Sequence, residues 1–511
     1  VFDLLVLTAS NQGQARAYQA ELAARALGER STPRTLVVAD PGGRRVGSGL
    51  STLQVLAEVA RLLLAHNPHP ASLAGLFTGR RVCIIHCGGD SRRLPAYAAQ
   101  GKVFAPLPLD TDAARPAALF DLILDDLARI PLPDQGRVLV ATGDVFLDVG
   151  RRELGFDRPG VVGVAWPDTP ERGSRHGVYI ADPAGAITGF VHKPTRHQAH
   201  ALGAIRADDT VLIDTGVVCL DPHAVEHWLT RAGVTLETDR PRPAVRTGPG
   251  LLQTAIETGS PATDLYGDIL PALAHRETLH RIDWRGPLPF SVAVIPESPF
   301  LHIGTSRELL DTLTGEPPPI PRWRPLPAGG SARIHNSRLD HTPRTLGPRV
   351  VIEACHLRHA PTLPGSNILV GVPGALDAPI ELPEGWGLVC LPLESGAWAA
   401  LLFGEADDFK TPLTRAGAFG NRPLQRLLDT SGLTAEDLWP GLPEPEHTLW
   451  TARLWTPSDA PGMLAPAAWM LSGARAPAPW RDAPRLSAAQ VMAAADHRRL
   501  LDTRRTLHPG E

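Results

Sequence analysis

The sequence of 511 residues predicts an α/β protein: a doubly wound, mostly parallel sheet, then short strands stacked into a coil, then a partly helical C-terminal region. Three observations predict it. Short apolar runs alternate with helix-length segments from residue 4 to residue 214, the pattern of a parallel sheet covered on both faces. A glycine loop with two arginines and a lysine follows one of those runs directly, in HCGGDSRRLPAYAAQGKVFAPLP at residues 86–108. From residue 331 onward helical spacing gives way to short apolar pieces set among asparagines and glycines at close intervals.

In chain order, residues 4–8 read as a buried strand and 14–27 as its helix. Residues 35–39 and 51–65 repeat the alternation around a second glycine segment, DPGGRRVGSGLSTLQVL at 40–56. Residues 82–85 form the strand before the arginine loop, 117–130 an amphipathic helix, and 138–141, 161–165 and 211–214 further strands. Ligands of such sheets collect at the carboxyl ends of the strands. Residues 332–337, 347–353 and 363–372 supply the stacked strands, and helices over 489–501 close the chain.

Composition narrows the function. Fifty basic and 54 acidic residues leave a formal charge of −4, which gives no broad attraction to nucleic acid or anionic lipid, so any phosphate binding must be local. Five cysteines without a CxxC pair point to a reducing compartment and no structural zinc, with Cys83 as core packing. With no apolar run expected to span a bilayer and no basic leader, the chain reads as cytoplasmic, with no membrane partner. The histidines, His176, His192 and His197 among them, show no HExxH or tight metal spacing, and neither a GxSxG elbow nor a GxxxxGK[ST] loop occurs.

The remaining chemistry is that of phosphate. Gly88 and Gly89 let backbone N–H groups approach an anion, and Arg92, Arg93 and Lys102 can neutralise it. Either arginine can make the phosphate contact, with Arg93 closer to the register of a GxGxR loop. Asp144 in TGDVF and Asp214 in VLIDTGVV both read as strand-terminal carboxylates before or beside glycine, able to grip one magnesium ion or simply to cap turns. Lys193 in GFVHKP can place a charge on a sugar phosphate or lie solvated.

The two glycine segments, with TGDVFL, GFVHKP, LIDTGVVCL, DLYGDIL, SARIHNSRL and LFGEADDFK, resemble the pyrophosphorylase domain of the L-fucokinase/GDP-fucose pyrophosphorylase family, related to sugar-phosphate nucleotidyltransferases; the resemblance runs over residues 3–450. It implies a nucleotidyltransferase-like domain at 1–325, a left-handed β-helix at 326–400 and a mixed region at 401–511. By the same resemblance, Gly47, Ser48, Gly49, Gly88, Gly89, Asp90 and Ser91 surround the nucleotide with Arg92 and Arg93, Lys102 and Lys193 contact phosphates on the reacting side, and Asp144 with Asp214 holds Mg2+. The implied reaction joins GTP and a sugar 1-phosphate, L-fucose 1-phosphate first, into a GDP-sugar with release of pyrophosphate. Another sugar or ATP, or a non-catalytic nucleotide-sugar-binding protein, are the alternatives. Either a monomer or a homodimer is expected. The family loop reads GSGGGT where this chain has Leu50 and Ser51, two positions where lost glycine freedom bears on the nucleotide. The chain shows no glycine-serine-rich kinase loop, so kinase activity is not expected of it.

Overall fold

The computed structural model describes residues 2–25, 34–67, 69–109, 115–148, 154–238, 242–279, 282–284, 286, 288–295, 300–315, 320, 323–324, 326 and 330–508. Its residues sort into two compact units, one made of 1–88 with 122–300 and the other of 89–121 with 301–511. The expected divisions after residues 325 and 400 follow chain order, whereas the units interleave, with the arginine loop sorting with the C-terminal residues.

In the first unit the apolar runs form Leu4–Ala9 (β1), Arg34–Ala39 (β2), Arg81–His86 (β3) and Arg137–Thr142 (β4). They lie parallel in the order β4-β3-β1-β2, joined by the helices Gln12–Ala24 (α1) and Ser48–His66 (α2) among others. Leu5, Val6, Leu7, Ile84 and Ile85 are wholly buried, as a strand covered on both faces requires. Val145–Leu147 (β5) lies outside this sheet, which continues through Val161–Asp168 (β6), the hairpin Gly177–Ala181 (β7) with Ile187–His192 (β8), and Val211–Leu220 (β9). β9 runs antiparallel to β4, β6 and β7, while Phe290–Val294 extends the edge parallel to β6, so the sheet is mixed.

Two expectations are corrected here. The strand read as ending at Asp214 continues to Leu220, because the chain absorbs an irregularity at Gly216, with φ +75°, and then pairs again from Val218. The segment Ser48–His66 is long and apolar enough to cross a bilayer, the one such helix among the described residues. Its Leu50, Leu53 and Leu56 lie in the same core cluster as Val6, Ile84 and Val140 of the sheet, which accounts for its apolarity.

In the second unit Ala332–His335, Val350–Glu353, Ile368–Val370 and Trp386–Pro392 pair successively in parallel, and Trp398–Gly404 adds an antiparallel edge. Arg338–Leu339 with His356–Leu357, and Thr345–Leu346 with Thr362–Leu363, form further parallel pairs. Each strand therefore bonds to its counterpart one repeat later, which is why the apolar pieces recur at close intervals. The asparagines serve the turns: Asn367, wholly buried, accepts from the Gly365 N–H and donates to the Pro383 and Trp386 carbonyls. The helices expected over 489–501 are Ala488–Ala493 and His497–Leu507, separated where Asp496 caps a new start by accepting from the Arg499 N–H at 3.0 Å.

Candidate active site

The GSGLST loop is built by close packing. Gly47 has φ +86°, and a Cβ there would lie 2.3 Å from the Thr263 carbonyl oxygen. On Gly49 a Cβ would lie 2.7 Å from Ile269 Cδ1. The Gly49 and Leu50 N–H groups both donate to Thr263 O, at 2.9 and 3.4 Å, and the Ser48 hydroxyl accepts from Leu265 N and donates to Asp264 Oδ2 at 2.6 Å. These glycines thus dock the start of α2 against residues 263–269, and the N–H groups of Gly49 and Leu50 are already satisfied. Leu50 and Ser51 are helical, with no positive φ; Leu50 is wholly buried, and the Ser51 hydroxyl donates to Asp40 at 3.1 Å. Glycine freedom is not needed at either position. Gly47→Ala should destabilise the first unit by about 1–3 kcal/mol through that strained, crowded position, read as a lowered melting temperature.

Next to this docking, His86 joins three elements. Thr52 Oγ1 donates to the Ser48 carbonyl at 2.7 Å, so its contact with His86 Nε2 at 2.8 Å needs the imidazole to donate from Nε2. Nδ1 is then the acceptor facing Thr8 Oγ1 at 3.4 Å, and Thr8 Oγ1 also accepts from the Cys87 and Gly88 N–H groups at 3.1 and 3.2 Å. Burial lowers the His86 pKa to about 4, against an opposing pull from Asp264, so the ring is neutral near pH 7. Its folded pKa lies below the unfolded 6.5; the stability of the buried neutral ring is therefore complete above pH 6.5 and lost as the pH falls towards 4. His86→Gln should flatten the fall in melting temperature across that window.

One carboxylate is held by a tyrosine. Asp214, buried in mid-β9 and not at a strand end, accepts from the Tyr179 hydroxyl at 3.0 Å and from the Gly216 N–H at 3.1 Å. Burial pushes its pKa up to about 7, with Asp264 adding to the rise while its hydrogen bonds oppose it. The Tyr266 hydroxyl donates to Gly216 O at 2.9 Å, and burial together with Asp214, Asp264 and Asp144 raises its pKa. Asp144, half-buried, directly follows β4 and Gly143. No basic side chain among the described residues pairs with Asp214. A buried carboxylate raised in this way, with two others acting on the same tyrosine, suits a hard divalent cation. Among the described residues no group of three or more His, Cys, Asp or Glu is gathered at metal-holding distances, so magnesium here would draw its further ligands from phosphate and water. Sequence reading missed Asp264, Tyr179, Tyr266 and His86; Asp264 and Tyr266 stand in DLYGDIL, and their bonds to Ser48 of α2 and to Gly216 of β9 are long-range contacts that no spacing reveals. Lys193 directly follows β8 in an exposed position with φ +51°, its N–H donating to His176 O at 2.8 Å.

In the second unit the two arginines separate. Arg92 pairs with Asp90 at 2.8 Å, lies 5.2 Å from the Trp450 ring centroid, and gives its carbonyl to Phe409 N. Arg93 is exposed, its carbonyl accepts from Ser306 N at 2.9 Å, and its guanidinium pairs with no carboxylate among the described residues. Ser91 has φ +52°, and its hydroxyl accepts from the Lys102 N–H at 3.3 Å, drawing the two ends of the loop together. A Cβ on Gly89 would meet nothing within 4 Å, so that glycine is not explained by packing.

A family profile described as "Fucose pyrophosphorylase domain" matches residues 76–283 and 286–459. The chain belongs to the fucose pyrophosphorylase family. The match takes in the arginine loop, Asp144, Lys193, Asp214 and Asp264. A bifunctional fucokinase/GDP-fucose pyrophosphorylase from Arabidopsis thaliana is 28% identical over 532 residues, covering 92% of this chain and 48% of that protein. A fucose-1-phosphate guanylyltransferase from Mus musculus is 28% identical, covering 62% of this chain and 57% of its own length. An L-fucokinase/L-fucose-1-P guanylyltransferase from Bacteroides fragilis is 24% identical, covering 78% of this chain and 40% of that one. This fucose pyrophosphorylase family member thus spans between 34% and 57% of the curated relatives it matches.

Proposed function

We propose that the chain transfers a guanylyl group from GTP to L-fucose 1-phosphate, giving GDP-fucose and pyrophosphate. The observation that carries the reading is the family match over 76–283 and 286–459, which takes in Asp144 and Asp214 as well as the basic loop. The sugar-phosphate oxygen attacks the α-phosphorus in line, a P–O bond forms, and the bond to the leaving pyrophosphate breaks. The attacking phosphate is already ionised near neutral pH, so no protein nucleophile or strong base is called for. Arg93 and Lys102 offset charge on the triphosphate, and Lys193 offsets charge on the sugar phosphate. Arg92 orders the loop through Asp90 and Trp450. Asp144 and Asp214 hold magnesium, which when bound neutralises charge developing on the phosphates. Tyr179 and the Gly216 N–H orient the Asp214 carboxylate. The stacked parallel ladders of 332–392 are read as turns of a β-helix, with an assembly or packing role. The non-catalytic alternative is motivated by Leu50, whose helical backbone calls for no glycine freedom.

Base and sugar are set by pocket hydrogen bonds, and a panel of four triphosphates against several sugar 1-phosphates reads both. GTP with L-fucose 1-phosphate should give the highest kcat/KM; a preference for ATP or for another sugar 1-phosphate would replace the substrate assignment.

A further inference from the structure

We infer that Arg504, near the end of the chain, is a positioning residue that holds Lys102 in place through Gln100; this deepens the proposed reaction and rests on that reading. Arg504 lies in the helix His497–Leu507 and is 6% exposed, while Glu353, at the end of the strand Val350–Glu353, is wholly buried. One edge of the guanidinium makes a bidentate pair with Glu353, Nε to Oε1 at 2.9 Å and Nη2 to Oε2 at 3.0 Å. The other edge meets Gln100. With its carboxamide oxygen turned towards Arg504, Gln100 accepts from Nη2 at 2.8 Å and from Nη1 at 3.1 Å; the opposite orientation would set donors against donors. The Tyr97 ring flanks the cation, with its centroid 5.9 Å from the guanidinium carbon.

Tyr97, Gln100 and Lys102 belong to one segment, and Gln100 is buried, so its anchoring fixes the chain two residues before Lys102. Gly101, with φ +80°, turns the chain there, and Lys102 opens the short helical turn Lys102–Phe104 with its N–H on Ser91 Oγ. A buried ion pair is poor value for stability, since an apolar pair of similar volume often holds a fold as well or better. What an apolar pair cannot do is present two N–H donors to Gln100. The planar fork serves both partners at once, and a lysine ammonium does not.

The test uses the full chain with Gln100→Ala, Arg504→Lys and the double variant Glu353→Leu/Arg504→Met. Each should lower kcat by about 10²-fold, the scale of a displaced phosphate contact, with KM for GTP little changed and faster hydrogen exchange at the Lys102 amide. The double variant should keep or raise the melting temperature. On a Lys102→Ala background, Gln100→Ala should cost little more, because both act through the same group. Unchanged kcat and unchanged Lys102 exchange in Gln100→Ala, or an equal further loss on the Lys102→Ala background, overturns the inference. If the wild-type chain transfers no nucleotide, the reaction falls and exchange alone decides the anchor: faster exchange in Gln100→Ala upholds it, unchanged exchange overturns it.

Discussion

Asp214→Asn is expected to lower turnover by about 10²–10³-fold, the usual cost of removing one preorganised electrostatic support from a transition state, while leaving the fold intact. The asparagine oxygen can still accept from the Tyr179 hydroxyl and the Gly216 N–H, the two partners Asp214 has now. What it removes is a charge buried at a cost. The folded pKa of Asp214 is raised to about 7 from 3.8, so the neutral carboxyl contributes its stability fully below pH 3.8 and loses it as the pH rises through 7. In a chelating buffer the asparagine variant should therefore match wild type in melting temperature near pH 4 and exceed it at pH 8. The gap is at most roughly 4 kcal/mol, taking about 1.4 kcal/mol per pKa unit. Magnesium should raise the melting temperature of wild type at pH 8 and leave the variant unmoved. Equal magnesium responses, or turnover near wild type, would remove Asp214 from the metal site.

Arg93→Ala should raise KM for the triphosphate by about 10–100-fold, from the roughly 1.5–3 kcal/mol carried by a hydrogen bond to a charged group. The guanidinium is exposed and pairs with no carboxylate among the described residues, so the loss should appear in binding with little change in melting temperature. Arg92→Ala should behave otherwise. It removes the ion pair to Asp90, whose side chain is only 11% exposed, and uncovers Trp450, so stability should fall together with activity. Steady-state kinetics and melting curves on the two variants separate these roles. If Arg93→Ala binds triphosphate as wild type does, its side chain is a solvated charge.

Much of the first unit was legible because its strands are short, apolar and bounded by glycine, and because its crossovers are helices of ordinary length. β9 was misread at Asp214, since Asp-Thr-Gly looks like a strand end, and only cross-strand pairing shows the chain resuming at Val218. The packing of Gly47 and Gly49 was hidden for a related reason. A glycine in a loop before a helix signals close approach, but the sequence does not say whether a phosphate or, as here for a Cβ, the Thr263 carbonyl and Ile269 stand opposite. Arg92 and Arg93 are adjacent and chemically identical, so only packing against Asp90 and Trp450 distinguishes them. Asp264, His86 and Arg504 were invisible because each acts through partners distant in sequence.

The most direct test measures pyrophosphate released by the wild-type chain from GTP and L-fucose 1-phosphate in the presence of magnesium, with the nucleotide product identified by mass. Stoichiometric pyrophosphate and GDP-fucose are expected, dependent on both substrates, abolished by chelation, and reduced by at least about 10²-fold in Asp214→Asn. Absence of pyrophosphate with GTP and with every other triphosphate and sugar 1-phosphate offered, from folded protein, would contradict the proposed reaction.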